Sequence, residues 1–277
     1  MVKKTFFFSS SSDPHGLVVH AGLPREIPYL EFPRLASFTE LLHAVYTRHG
    51  GMSQGSFHSL NVGLLTGDSQ GNVRSNLEII RTTLGARSLK SVRQVHGTNI
   101  AIIRETSSTV SEEPVQADAM ITDLPGVAIV VKQADCQAVI LFDPVKKVIS
   151  NIHCGWRGNR ENLLRTVVDR MHTDFGCRPS DLRAGIGPSL GPCCAEFVTH
   201  EPLFPDSFMR FMVKKNYFDF WAISRWQLTE SGVREENIET AAICTKCSTD
   251  LFYSYRAEKI TGRFATAVML KGPVLVP

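Results

Sequence analysis

A mixed α+β fold follows from three properties of this 277-residue chain. Short apolar runs of strand length crowd its centre, from residue 117 to 153, and Pro125-Gly126 and Asp143-Pro144 mark turns between them. Helical periodicity is confined to a few separate stretches. Strands arriving in runs, with helices between them, favour α+β or a mixed-sheet α/β arrangement over a doubly wound βαβ array. With 43% hydrophobic residues the chain can bury a large core in one domain or two intimately joined ones.

The elements follow in order. Residues 1–35, with prolines and a serine run at 9–12, read as an irregular lead-in. The remainder, 36–277, reads as a single catalytic domain. Residues 42–46 predict a strand ending in the loop Thr47-Arg48-His49-Gly50-Gly51, and 59–65 is a further apolar stretch. A helix is expected after Asp68, whose carboxylate would cap it, with Val73, Leu77, Ile80 and Leu84 on one face before Gly85. Residues 91–95 and 100–103 read as strands around the turn His96-Gly97-Thr98, and the polar stretch 106–115 as a mobile loop. Strands at 117–121, 127–132, 139–142 and 148–153 form the centre. A helix over 162–171 leads to a strand near 182–186. Residues 197–231 read as largely helical with an interruption at 216–220, and 263–270 as a final buried strand.

Composition narrows the function. Net charge is only +3 and the charges are scattered, so the basic stripe of a nucleic-acid binder is missing. The longest apolar runs fall far short of the ~20 residues of a membrane span. Phe6-Phe7-Phe8 is too short for the ~7–15-residue apolar core of a signal peptide, which makes a cytoplasmic chain the expectation. The seven cysteines are odd in number and are expected to be reduced thiols. Cys244-Thr245-Lys246-Cys247 has the spacing of a redox pair or half a zinc site. No second C-x-x-C or H-x-x-H completes a set, so ordinary thiols are expected there. Cys193-Cys194 is expected to be structural, since neighbouring cysteines do not easily chelate one metal. The stretch from Gly185 to Gly191 has G-x-G-x-x-x-G spacing, which departs from a dinucleotide loop and reads as a loop shaping a pocket.

The most informative stretch is His153-Cys154-Gly155-Trp156-Arg157-Gly158, at the junction of a strand and a helix. Flanking glycines permit a sharp turn, and a helix N-terminus suits an anion. His96 and Cys136 also fall where strands end. Two imidazoles and a thiolate make an N₂S set suited to Zn²⁺, with copper a competitor, and three ligands leave one position open as in catalytic sites. Spacing alone does not bring the three together, and each histidine could equally be hydrogen-bonded at a strand end.

Eight motifs occur in order: Thr47-Arg48-x-Gly50-Gly51-x-Ser53, Ser59-Leu60-Asn61, Gln94-Val95-His96-Gly97, Ala117-Asp118-Ala119, Ala134-Asp135-Cys136, the His153 stretch, Ile186-Gly187-Pro188 and Ser254-Tyr255-Arg256. Together they resemble the YfiH family, also called the polyphenol oxidase or laccase-domain family and regarded as purine nucleoside phosphorylases. The resemblance spans about residues 40 to 271. It implies a CNF/YfiH-like sandwich of two mixed sheets with outer helices and a zinc site of His96, Cys136 and His153. It further implies phosphorolysis of adenosine, inosine and methylthioadenosine, and hydrolytic deamination of adenosine.

On that reading nucleosides and phosphate are the partners. Arg48 and Arg157 are candidates to hold phosphate bidentately, with Asn61 and Arg256 at the rim. Asp118 or Asp135 would act as acid/base; Asp135 could instead support a histidine ligand. Three letters depart from the family pattern. Cys154 stands where alanine is usual, Ala195 where tyrosine is frequent, and Ala257 in place of a second arginine. Two rivals remain: a metal-free cysteine hydrolase using Cys136 and His153, and a copper oxidase of phenols. The second is disfavoured because the nine histidines contain no H-x-H pair.

Overall fold

The strands of the computed structural model, which describes residues 18–20, 27–104 and 115–272, are in chain order β1 (Val18–His20), β2 (Tyr29–Glu31), β3 (Leu41–Tyr46), β4 (Ser88–Lys90), β5 (Ile100–Ile102), β6 (Ala119–Thr122), β7 (Val127–Gln133), β8 (Gln137–Asp143), β9 (Val148–Cys154), β10 (Arg183–Ile186), β11 (Met212–Lys214), β12 (Tyr217–Phe218), β13 (Ile238–Thr240) and β14 (Phe264–Leu270). The helices are α1 (Pro33–Ala36), α2 (Gln70–Thr83), α3 (Trp156–Arg160), α4 (Leu163–Phe175), α5 (Phe220–Glu230) and α6 (Tyr255–Glu258). One sheet has the order β1-β2-β3-β14-β7-β4 and the other β13-β10-β8-β9-β6-β5; β11 and β12 form a small separate hairpin. Each large sheet mixes parallel and antiparallel pairs: β4 runs parallel to β7, and β5 to β6, while β8, β9 and β6 are antiparallel. This is the expected α+β class with two mixed sheets.

Strand alternation builds the layers. Val45, Ile129, Val131 and Val268 of one sheet meet Met120, Ile140, Phe142 and Ile149 of the other in a shared core. The opposite residues, Val139, Leu141, Ile152 and Cys154, face Leu163, Leu164, Val167, Val168 and Met171. On the far side Ala44, Val130 and Ala267 pack against Ile80 and Leu84. Both faces of both sheets are therefore buried, which is why the central strands read as nearly continuous apolar runs. Asn151 ties the layers: its side-chain amide donates to the Ile129 and Thr266 carbonyls at 3.0 and 2.8 Å.

Several local expectations give way. Part of the expected lead-in is ordered: β2 joins the first sheet between β1 and β3, and Phe32, Leu35 and Leu30 enter the core. The Asp68 carboxylate accepts from Ser69 N and the Asn61 amide and does not cap α2, whose N-cap is Ser69. Residues 91–95 are not a strand; β4 ends at Lys90, and beyond it the Gln94 side chain pairs with both backbone groups of Lys132 in place of a ladder. The helix expected over 162–171 is present as α4, and a separate short helix, α3, precedes it across a break at Asn162, φ 54°. Much of 197–231 is not α-helical: Asp206–Phe211 is a 3₁₀ turn followed by the β11–β12 hairpin, and only α5 is a long helix. Here an aromatic cluster of Phe197, Phe204, Phe208, Phe218 and Phe220 fixes the path, overriding helical spacing. The expected loop at 106–115 lies, apart from Val115, outside the described residues.

Candidate active site

The β8–β9 hairpin assembles the site by register. Ala138 pairs with His153 and Gln137 with Cys154, so Cys136 lies just beyond the last pair, level with Gly155. On the other side of β9, Ala119 pairs with Ile152, and the His153 amide donates to the Asp118 carbonyl at 2.7 Å. Residues 136, 138, 140 and 142 share one face of β8, and 149, 151 and 153 one face of β9. Ala138, Ile140, Phe142 and Ile149 fill the core between the sheets. Cys136, His153 and Asp118 thus stand on the inter-sheet face at strand ends, where that core opens.

Asp118 organises the third participant. Its fully buried carboxylate accepts from the amides of His96 (2.9 Å), Gly97 (2.7 Å) and Val95 (3.2 Å) and from His153 Nδ1 (2.8 Å). These bonds wrap the 95–97 turn around one carboxylate and hold His96 in the left-handed region at φ 60°. The His96 and His153 rings meet edge-on at 4.8 Å, and His96 Nε2 lies 3.8 Å from Cys136 Sγ. The ligand atoms of His96, Cys136 and His153 all fall within 4.8 Å of one another. Gly155 has no alternative here: a β-carbon would stand 2.9 Å from Cys136 Sγ and 3.4 Å from His96 Cδ2.

The electrostatics are those of a thiolate beside a charged imidazole. Burial pushes the Cys136 thiol up, but the His153 charge and hydrogen bonds from both imidazoles outweigh it and bring it down to about 6. Burial opposes charge on His153 as well, yet the Cys136 thiolate and Asp118 raise it to about 9. Asp118 is disfavoured by burial, and its bonds to His153, Gly97 and His96 nonetheless hold it below the usual carboxylate range. With Nδ1–H given to Asp118, His153 turns Nε2 toward the thiolate and His96.

The three residues line an open cleft of about 2050 Å³. Arg93, Lys132, Arg157, Arg256, Lys259 and Arg263 are among its walls, against Asp135 and Glu78 as acids. Arg157 lies over Trp156 at 4.5 Å, and Trp156, Phe197 and Tyr255 present aromatic surface. Desolvation brings the Lys132 ammonium down to about 8; it donates to the Val92 carbonyl at 3.0 Å. Lys132 and Arg263 were not singled out in the sequence. Each stands at the end of an expected strand, 127–132 or 263–270, where a Lys or Arg reads as an ordinary surface charge.

Other expected site residues stand elsewhere. Arg48 is not in the cleft wall: it is paired with Glu258 (2.9 Å), donates to the Thr249 carbonyl (2.7 Å) and lies over the Tyr253 ring at 4.4 Å. Asn61 is buried and acts on the backbone, its Oδ1 accepting from Gly63 N and from Arg263 N at 2.8 Å, which sets Arg263. Asp135, at φ 80°, has both oxygens occupied by Thr245, Ser254 and the Arg256 amide, at 2.6–2.7 Å. Its carboxylate ties three loops together, and support for a histidine falls to Asp118. Arg256 does reach the cleft, donating to the Glu196 carbonyl at 3.0 Å. Cys154 is buried against the α4 side of β9, with burial pushing its thiol up well beyond the usual range, and lies outside the ligand group. Ala195 is buried in the aromatic cluster and does not line the cleft.

The two-sheet α+β fold is shared with known proteins. Residues 42–271 match the family described as multi-copper polyphenol oxidoreductase laccase, and the chain belongs to that family. A purine nucleoside phosphorylase of Bacteroides thetaiotaomicron is 30% identical over 260 residues, 87% of this chain and 96% of that one. A purine nucleoside phosphorylase of Pseudomonas aeruginosa is 31% identical over 241 residues, 82% of this chain and 92% of that one. Among solved structures, the hypothetical protein YfiH of Bacillus licheniformis superposes with a TM-score of 0.82 at 26% identity, covering 91% of this chain and 99% of that one. YlmD of Geobacillus stearothermophilus gives 0.81 at 28%, covering 88% and 96%.

Proposed function

We propose that the chain is a zinc-dependent purine nucleoside phosphorylase, cleaving adenosine, inosine and S-methyl-5′-thioadenosine to free base and ribose 1-phosphate, with adenosine deaminase activity at the same site. The observation that carries the reading is a His₂Cys set, ordered by a buried carboxylate, opening into a cleft walled by cations and aromatic rings.

The donor set fits a zinc ion. Tetrahedral bonds of about 2.0–2.3 Å separate ligand atoms by roughly 3.3–3.8 Å, and the 3.8 Å between Cys136 Sγ and His96 Nε2 is of that size. A depressed thiol and a histidine tautomer fixed through Nδ1 suit metal ligation as well. A zinc ion there would supply Lewis acidity and one open coordination position.

In phosphorolysis a phosphate oxygen bonds to C1′ as the C1′–N9 bond breaks and the purine departs with the electron pair. Arg157 and Arg256 hold the phosphate dianion, because guanidinium matches its oxygens in a fork. Tyr255, 53% exposed on the cleft, offers a face on which the purine stacks. In deamination water adds at C6 and ammonia leaves, while the same aromatic and cationic walls hold the nucleoside. Asp118 keeps the Nδ1 proton on His153, so that imidazole stays in one orientation throughout.

The test is product analysis with purified protein and a nucleoside panel, with and without phosphate, alongside metal analysis. Phosphate-dependent loss of adenosine or inosine with ribose 1-phosphate appearing supports phosphorolysis; inosine and ammonia from adenosine, indifferent to phosphate, would leave deamination alone. A second reading, a metal-free cysteine hydrolase, draws on the Cys136 thiolate beside a charged His153. It requires full turnover in metal-stripped protein and tolerance of His96→Ala, and the zinc reading predicts loss in both.

A further inference from the structure

Cys193, Cys194, Cys244 and Cys247, expected to be separate ordinary thiols, lie together with their sulfur atoms within 4.8 Å of one another. Two loops converge to bring this about. One follows β10 and turns at Gly191, where Cys194 N donates to the Gly191 carbonyl at 2.9 Å. The other follows β13 and turns through the C-x-x-C stretch, with Cys247 N and Ser248 N both donating to the Cys244 carbonyl. Ser189 and Cys244 form a parallel bridge between the loops, and Gly191 N donates to Cys244 Sγ at 3.3 Å. The tight turn at Cys193-Cys194 sends both neighbouring sulfurs to one side, which removes the objection that adjacent cysteines cannot share an ion.

We propose that these four cysteines form a second, structural zinc site, separate from the His₂Cys set. Its geometry is that of a tetrahedral tetrathiolate. Zn–S bonds of about 2.3 Å give a sulfur–sulfur edge of roughly 3.8 Å, and Cys247 Sγ lies 3.7 Å from Cys193 Sγ and 3.5 Å from Cys194 Sγ. A disulfide would need about 2.05 Å. Four thiolate donors leave no position open, which distinguishes a structural from a catalytic ion, and soft sulfur ligands select zinc over the hard cations. Loading follows Zn²⁺ + 4 Cys–SH → [Zn(S–Cys)₄]²⁻ + 4 H⁺, with no change of oxidation state.

The position gives the site its purpose. Arg256 donates through Nη1 to the Glu196 carbonyl at 3.0 Å, just beyond Cys194. Thr245, inside the C-x-x-C loop, donates to Asp135 Oδ1 at 2.7 Å, and Asp135 adjoins Cys136. The ion would staple the two loops that form the Arg256 side of the cleft, with Cys193 and Cys247 at the surface and Cys244 buried.

The experiment is native mass spectrometry and metal analysis of protein purified without chelator. The wild type is expected to carry two zinc ions per chain, a His96→Ala, Cys136→Ala variant one, and a Cys193→Ser, Cys247→Ser variant one. Cobalt exchanged into the His96→Ala, Cys136→Ala protein is expected to show the intense sulfur-to-metal charge-transfer bands of four thiolates, a readout that does not require the cysteine variant to fold. Overturning results are a wild type whose single zinc persists in Cys193→Ser, Cys247→Ser, cobalt spectra without four-sulfur ligation, or Cys193 or Cys194 recovered as a disulfide with Cys247. A metal count that falls only in the His96→Ala, Cys136→Ala protein would sink this site and leave the active-site reading intact.

Discussion

Replacing Asp118 with asparagine tests the candidate site at the group that orders it. The carboxylate accepts four hydrogen bonds, from His153 Nδ1 and from the amides of His96, Gly97 and Val95. Asparagine is nearly the same shape but has one acceptor oxygen and one amino group. With its oxygen at the Oδ1 position it keeps His153 and His96 and turns its amino group onto the Gly97 and Val95 amides, donor against donor. Flipped, it keeps Gly97 and Val95 and presents N–H to His153, reversing the imidazole tautomer so that Nε2 carries the proton and cannot bind a metal. The first orientation forfeits the Gly97 and Val95 bonds, the second the His96 bond while reversing the one to His153, and bonds to a charged acceptor are worth about 1.5–3 kcal/mol each. A loss of about 2–5 kcal/mol in unfolding free energy is therefore expected by urea denaturation. Zinc affinity should fall about 10–100-fold in a competition titration, as it does when the partner of a histidine ligand is removed. Turnover assayed at saturating zinc should remain below wild type because His96 is no longer held. Unchanged zinc affinity together with unchanged turnover would refute the role assigned to Asp118 and with it the arrangement of ligands around it.

Four further outcomes are expected. Gly155→Ala should weaken metal binding and activity strongly, because its methyl would sit 2.9 Å from Cys136 Sγ, while a melting temperature within a few degrees of wild type shows the sheets intact. Arg157→Ala and Arg256→Ala should each raise the KM for phosphate by about tenfold or more and leave phosphate-independent deamination closer to wild type; equal effects on both reactions would place these residues in structure instead. Tyr255→Ala should raise the KM for nucleosides by about 5–100-fold, the range for loss of one base-stacking contact, with little change in thermal stability. Acid should destabilise the fold through His43, which burial holds down at about 4 while its Nε2 accepts from the Phe32 amide. Above pH 6.5 it is neutral in both states; between 6.5 and 4 only the unfolded state takes the proton, so stability falls with pH by at most about 3 kcal/mol. His43→Gln should flatten that part of the stability–pH curve measured by denaturant titration.

The fold was legible where burial is two-sided. Residues 127–132, 139–142 and 148–153 are rich in apolar residues because both faces of each sheet are covered, and they are strands. Reading failed where side chains replace backbone partners. The Gln94 amide completes the ladder beside Lys132, and a cluster of phenylalanines dictates the path through 204–220. At the site, three residues at strand ends were readable as a ligand set only by type; their convergence depends on the β8–β9 and β6–β9 registers. Arg48 was read toward phosphate and in the fold faces Glu258; a cation in a glycine loop looks the same in either case. The convergence of the cysteine pairs was not readable because about 50 residues separate them in sequence, a distance closed by the parallel pairing of β10 with β13 and the bridge between Ser189 and Cys244.

Cys154 shows how far register alone carries the argument. Period-two alternation puts His153 and Asn151 on the inter-sheet face of β9, and Cys154 with Ile152 on the face covered by α4. The thiol therefore cannot swing toward the ligands without turning His153 away, since a one-residue slip exchanges the two faces of the strand. Gly158 crowds it from the helix side, where even a β-carbon would stand 3.2 Å from its sulfur. A residue beside a metal ligand in sequence is thus the least able to join it when the ligand sits on a strand. Cys154→Ala should trim a buried sulfur, costing about 1–2 kcal/mol of stability, and leave metal content and turnover unchanged. Loss of metal in Cys154→Ala would mean that β9 is read in the wrong register.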